Sequence, residues 1–224
     1  MNDNVVNKKS FLSQVTEIVK TNIRNIIILL SLCFVLFLSF QIYSFYISNK
    51  IQKNSISFFA AQNTDDTNVI TDTITKLSND NTFYGVLAKL ELIDLTLKQN
   101  NIEDSISMYL ELINQNNLES VYKSAIASKA SYQLIDINFE NLSLNYLNII
   151  NDFISYIDDE TDSYKGIKLE LKYLIKILEA EKNSIDYSSF NEVNDIYENI
   201  MSSDVVSSAI KERVNKIHEF YSNK

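Results

Sequence analysis

The chain has 224 residues with two glycines, no proline and no tryptophan, too few turn formers for a strand protein of this size, so an all-α protein is predicted, with turns built from Asn, Asp and Ser. Its single cysteine excludes an intrachain disulfide, so core packing alone must hold the fold. The net charge of -9 is uneven: residues 1–53 carry +4 (Lys8, Lys9, Lys20, Arg24, Lys50 and Lys53 against Asp3 and Glu17) and the remainder -13, and an acidic body repels phosphate backbones, which argues against nucleic-acid binding.

Residues 1–24 form a short basic segment. Phe11, Leu12, Val15, Ile18, Val19 and Ile23 recur there at helical spacing. Beside Lys8, Lys9 and Lys20 they read either as a helix lying on an anionic leaflet or as a frayed tail leading into the next segment. Residues 25–49 carry no charge, and the 22 residues from Ile26 to Ile47 are apolar almost throughout. As a helix that run reaches about 33 Å, against a hydrocarbon core of roughly 30 Å. A membrane-spanning anchor is predicted, carried by side chains such as Ile26, Leu30, Phe34, Leu38, Ile42 and Ile47, with Tyr43 and Tyr46 near the distal interface. A cleaved signal peptide would have a shorter apolar run ending in small residues, whereas this one ends in Tyr, Phe, Ile, Asn and Lys. Cys33 follows Leu32 rather than a small residue and reads as an ordinary buried thiol. Four basic residues precede the span and two follow it, which orients the N-terminus toward the cytoplasm.

Residues 50–224 are expected to form one helical domain on the far side. Polar clusters divide it into helices near 50–61, 67–78, 82–99, 102–115, 119–138, 142–156, 161–182, 188–201 and 204–221. The breaks fall at Asp65-Asp66, Asn79-Asp80-Asn81, Asn100-Asn101, Asn116-Asn117, Asp158-Asp159 and Ser202-Ser203, residue types that suit N-caps and short turns. The first of these helices is expected to continue from the membrane helix. The helix at 119–138 carries Ala125, Ala127, Ala130 and Ser131, small residues that permit close approach. The helix at 161–182 has two apolar stripes, one of Tyr164, Ile167, Leu171, Leu174, Ile175 and Leu178 and another of Leu169, Tyr173 and Ile177. Two such sides predict a helix packed between neighbours in a stacked array.

The stretch Leu92–Ile113 resembles the turn of a tetratricopeptide repeat. Leu92 and Ile93 occupy the packing positions of the first helix, Asn100-Asn101 the turn, and Ser105, Tyr109 and Leu112 the small, aromatic and following positions of the second. The small residue lets the paired helices cross closely and the aromatic fills the gap. Ile93 departs from the usual Gly or Ala, and Asn117 stands near the usual Pro. Phe190, Val193, Ile196, Tyr197 and Ile200 look like another second helix. With the basic tail, the uncleaved anchor and the segment Tyr84-Gly-Val-Leu-Ala-Lys-Leu-Glu-Leu-Ile, the layout resembles the single-pass bacterial membrane proteins typified by the ancillary subunit of the SecYEG translocon. That resemblance implies an inner-membrane protein with a periplasmic tetratricopeptide-like scaffold, partnered by the translocon and periplasmic chaperones, without catalytic residues. The alternative is a structural or self-associating subunit of an envelope-assembly or cell-division complex.

No catalytic, cofactor or metal site and no small-molecule substrate is expected. The only histidine, His218, reads as a surface or capping residue, and one His with one Cys is too few for a soft-metal site. Gly85 and Gly166 are isolated, so no phosphate-cradling loop exists. The acidic cluster Asp158-Asp159-Glu160-Thr-Asp162 lacks the ligand spacing of a calcium loop and reads, like Asp65-Asp66, as a solvated connection. Most aromatics are assigned to the core, with Tyr122, Tyr132 and Tyr187 as candidates for lining a peptide groove.

Overall fold

The computed structural model describes residues 11–116, 118–158, 162–185, 187 and 190–223, leaving aside the side chains of 11–15, 18, 162 and 163. Among the described residues there are nine α-helices and no strand: α1 (Phe11–Gln62), α2 (Thr67–Ser78), α3 (Phe83–Lys98), α4 (Ile102–Ile113), α5 (Ser120–Glu140), α6 (Leu147–Ser155), α7 (Asp162–Asn183), α8 (Asn191–Ser202) and α9 (Ser208–Ser222). The chain is all-α. It divides into two compact units, one running up to Thr73 with Thr82–Tyr84 added, the other comprising Ile74–Asn81 and Gly85–Lys224.

In the first unit α1 runs unbroken for 52 residues, about 78 Å at the helical rise. No proline or glycine interrupts it, so nothing bends or ends it before Gln62. The boundaries expected at 24/25 and 49/50 therefore lie inside one helix, and from Phe11 onward the basic tail is neither frayed nor a separate surface helix. Lys8 and Lys9, and the side chains of Phe11, Leu12, Val15 and Ile18, lie outside the described residues. One stretch, Val19–Gln62, is long and apolar enough to cross a membrane, and none of its apolar window is buried by the protein. Leu30, Phe34, Leu38 and Ile42 are exposed; Ile26 and Ile47 are half-buried. Cys33 is exposed on the helix surface. Such a continuous apolar surface is costly in water and favourable in hydrocarbon.

Past the apolar run, α1 turns polar and packs locally. Phe58 and Ala61 are buried while Ile51, Ile56 and Phe59 face outward. The Phe58 and Phe59 rings both meet Tyr84, at 6.0 and 6.1 Å, and Asn54 Nδ2 donates to Thr82 Oγ1 at 3.0 Å. Asp66 starts α2 by accepting the N–H groups of Asn68 at 3.0 Å and Val69 at 3.4 Å, the role of an N-cap carboxylate.

The second unit is a two-layer stack. Helix α5 packs against α4, α6 and α7, α7 against α6, α8 and α9, and α9 against α8. Helix α3 joins them through Lys89–Glu111 to α4 and Asp94–Lys129 to α5. Helices α3, α5, α7 and α9 thus form one layer and α4, α6 and α8 the other, the neighbour pattern of stacked helix pairs. The odd helices begin at Phe83, Ser120, Asp162 and Ser208, a longer spacing than the tetratricopeptide unit of about 34 residues.

Two apolar cores meet at α7. The first gathers Ile93, Tyr109, Leu112, Ile135 and Phe153 and takes Leu171 and Ile175 from α7; the second gathers Val193, Ile200 and Val214 and takes Tyr173 and Ile177. The two stripes of the α7 sequence thus serve different cores. Ile93, Ser105, Tyr109 and Leu112 are buried and Leu92 is half-buried. The Tyr109 ring meets Phe153 edge-on at 6.0 Å. In α5, Ala127, Ala130 and Ser131 are buried, but Ala125 faces outward. Ser124 and Ser128, one turn apart, are buried on the close-packed face instead. Ser124 Oγ accepts the Asp158 N–H at 2.9 Å and so ties down the segment after α6.

Local hydrogen bonding sets several helix starts later than the sequence suggests. The Asn141 side chain accepts the Ser143 N–H at 3.1 Å, closing a turn, and buried Asn138 accepts the Tyr146 N–H at 3.4 Å, so α6 begins only at Leu147. Ser207 caps α9 by accepting the Ile210 N–H at 3.4 Å. Two helices end through left-handed residues that are not glycine, Asn100 (φ 61°) and Ser184 (φ 52°). In each, the next N–H reaches back five residues, Asn101 to the Thr96 carbonyl at 3.2 Å and Ile185 to the Ala180 carbonyl at 2.9 Å, a Schellman closure. Glycine is instead kept for contact: a Cβ on Gly85 would stand 1.8 Å from the Asp80 carbonyl oxygen.

Urea denaturation followed by far-UV circular dichroism in mild detergent tests both points. Gly85→Ala should lose about 2 kcal/mol or more, since backbone must move to admit the methyl group. Ser184→Gly should gain about 1 kcal/mol by relieving a left-handed residue that carries a Cβ.

Candidate functional site

On α3, Glu91, Asp94, Leu97 and Lys98 recur at helical spacing and share a face; on α5, Gln133, Asp136 and Ile137 do the same. Together these seven residues line an open groove of 430 Å³ on the odd-helix layer. Asp94 secures its wall, accepting from Lys129 Nζ at 2.7 Å and from Gln133 Nε2 at 2.9 Å. Gln133 in turn accepts the hydroxyl of buried Tyr109, and burial pushes that phenol's pKa up, with the Asp94 charge adding to it. Leu97 and Ile137 supply apolar surface, half-buried and still accessible.

Two further carboxylates, Glu91 and Asp136, line the groove, and Glu140 stands one turn beyond Asp136 on α5. Glu91, Asp136 and Glu140 make no ion pair within the described residues. Burial raises the Asp136 pKa, and the Glu140 charge one turn on raises it further. Like charges four residues apart on a helix repel, and among the described residues no ion pair relieves them. The groove therefore offers an apolar strip beside the carboxylates of Glu91 and Asp136, with one lysine, Lys98, also on its wall.

A second polar group belongs to the framework. Glu170 on α7 is buried and accepts from Arg213 of α9 through both Nε (2.9 Å) and Nη2 (2.7 Å), and from the Tyr132 hydroxyl of α5 at 2.7 Å. Three consecutive odd helices are thus pinned by one carboxylate. The hydrogen bond to Glu170 raises the Arg213 pKa. For Tyr132, burial and then the Glu170 charge raise the phenol.

His218 departs from expectation. It is not a surface or capping residue but lies half-buried, its ring stacked on Tyr197 at 3.7 Å and 11°. Nδ1 stands 2.7 Å from the Tyr187 hydroxyl, which is 2.5 Å from the Tyr173 hydroxyl. These partners come from α7, α8 and the segment between them, far along the chain, so no local pattern marks them. Burial lowers the His218 pKa, opposed by the charges of Glu198 and Glu219.

Of the aromatics considered for a peptide groove, Tyr122 is exposed, Tyr132 binds Glu170 and Tyr187 is buried; none lines the groove. Asp158 accepts the Ser120 hydroxyl at 2.8 Å, whereas Asp159, Glu160 and the Asp162 side chain lie outside the described residues, as does Asn117. No group of three or more His, Cys, Asp or Glu placed to hold a metal occurs among the described residues. A further concavity of 450 Å³ is bordered by Lys216, Glu219, Phe220 and Asn223. Lys216, Glu219 and Phe220 belong to α9 and Asn223 follows its last residue.

No family model, curated protein or solved structure shows significant similarity to the chain. The functional reading is carried by the chain's own residues.

Removing Arg213 leaves the Glu170 carboxylate buried without its cation. Arg213→Met should cost about 2 kcal/mol, less than a fully buried pair because the guanidinium is partly solvated, and adding Glu170→Gln should recover part of that loss. A double-mutant cycle in urea reads both. Stability should also depend on His218. It is neutral in both states well above about pH 6.5, and below that value the unfolded chain takes up the proton first, so stability is lost as pH falls. The drop in denaturation midpoint between about pH 7.5 and about pH 5.5 should be smaller in His218→Gln than in the unsubstituted protein.

Proposed function

We propose that this protein is a non-enzymatic, membrane-anchored scaffold whose helical stack binds a basic, partly apolar protein segment. The observation that carries the reading is the groove between α3 and α5, where Glu91 and Asp136 make no ion pair among the described residues beside Leu97 and Ile137, with Glu140 one turn beyond Asp136. A segment bearing Lys or Arg next to an apolar side chain relieves the repulsion and covers the strip at once. The half-open groove suits an extended polypeptide better than an enclosed small molecule.

The bias of basic residues toward the N-terminal side of the span favours a cytoplasmic N-terminus and a periplasmic helical domain in a bacterial inner membrane. The resemblance to translocon-associated single-pass proteins favours the SecYEG translocon and periplasmic chaperones as partners. Anchoring raises the effective concentration of the groove near polypeptides emerging from the membrane.

The test is purification of the full chain in mild detergent with mass spectrometry of co-isolated proteins, beside the variant Glu91→Gln/Asp136→Asn/Glu140→Gln. Translocon or chaperone components should be recovered with the unsubstituted chain and fall several-fold with the variant. They should also fall several-fold when salt is raised from about 0.05 to about 0.3 M. Recovery of none of these components overturns the partner assignment, and equal recovery with the variant overturns the groove.

A further inference from the structure

Gln41 lies within the apolar run of α1. It lies six positions before Ile47, so its Cα sits about 9 Å inside the nearer end of that run, further than a glutamine side chain reaches. The residue is exposed, and no hydrogen bond joins its amide to another described residue. Ser39, by contrast, satisfies its hydroxyl internally, donating to the Val35 carbonyl at 2.9 Å. A primary amide has two donors and an acceptor, and hydrocarbon supplies partners for none of them.

The residues around Gln41 follow a seven-residue pattern. Ile27, Leu30, Phe34, Phe37, Gln41, Ser44 and Ser48 alternate at spacings of three and four, the a and d positions of a heptad, and all are exposed. One polar residue at an a position of such a seam fixes register and partner number. Small hydroxyl residues follow it on the same seam, where they let two backbones approach. We propose that α1 pairs in the membrane with the α1 of a second copy of this chain, in parallel and in register, through a Gln41–Gln41 hydrogen bond.

A second copy fits because the amide is self-complementary. In a parallel pair the two side chains lie at the same depth on a two-fold axis, each able to donate to the other. The inference rests on α1 crossing the membrane and does not depend on the groove between α3 and α5.

The test uses full-length protein in bacterial membranes with Cys33→Ser as background. Ser44→Cys lies on the seam and Ile42→Cys, at similar depth, lies off it. Oxidative cross-linking should give a homodimer for Ser44→Cys and little for Ile42→Cys. Adding Gln41→Leu, which makes the span more apolar, should weaken dimer formation about tenfold, and Gln41→Asn should largely retain it. Alkaline carbonate extraction in parallel reports insertion. Equal cross-linking from both cysteines, no effect of Gln41→Leu, or cross-links only to other proteins overturns the pairing while leaving the anchor intact. Release of the chain by carbonate overturns the anchor, and the pairing with it.

Discussion

Helix α7 carries apolar residues on two sides, and neither side can be exposed without opening a core. Leu171 and Ile175 close the core built by α3 to α6, while Tyr173 and Ile177 close the one shared with α8 and α9. A helix used in this way cannot rotate to favour one neighbour without uncovering the other. Between its two apolar faces lies Glu170, whose burial is tolerable because Arg213 and Tyr132 occupy its lone pairs. The apolar cores thus set the order of helices, and the carboxylate sets how α5, α7 and α9 meet. The positions of the odd helices, and with them the groove, follow from this constraint.

The groove itself uses polar groups in two ways. Asp94 is spent on structure, holding Lys129 and Gln133 across the α3–α5 contact. Glu91, Asp136 and Glu140 are not. A surface carboxylate without a cation is common, since exposed ion pairs contribute little. Repulsion between Asp136 and Glu140 beside accessible Leu97 and Ile137 is more selective, because it makes the same place attractive to positive charge and to apolar side chains. Specificity of this kind acts on encounter rate and on the exclusion of acidic partners more than on affinity.

Much of the helical framework is legible in the sequence because so few residues in it can break a helix. With proline absent and glycine rare, runs such as Asn79–Asn81 and Asn100-Asn101 are the available stops, and helices do end there. The double stripe on α7 is legible for the same reason, since periodicity along one helix is local information. What stays hidden is long-range. Nothing near His218 points to Tyr187 or Tyr197, and nothing near Glu170 points to Arg213, because those pairings arise only once α9 has folded back on α7. The groove is hidden likewise: its residues come from α3 and α5, and their acidic members look like ordinary solvated positions until the two faces are brought together. The late start of α6 turns on Asn138 and Asn141, whose side chains compete with backbone partners in a way that composition alone does not reveal.

The uninterrupted course of α1 has a mechanical consequence. A hydrogen-bonded helix without proline or glycine resists twisting about its own axis, so it acts as a stiff shaft. Turning the shaft within the lipid by some angle swings Phe58 and Ala61, at its far end, through nearly the same angle. Whatever grips the apolar stretch therefore also sets which way that end faces, without any flexible joint in between to dissipate the torque.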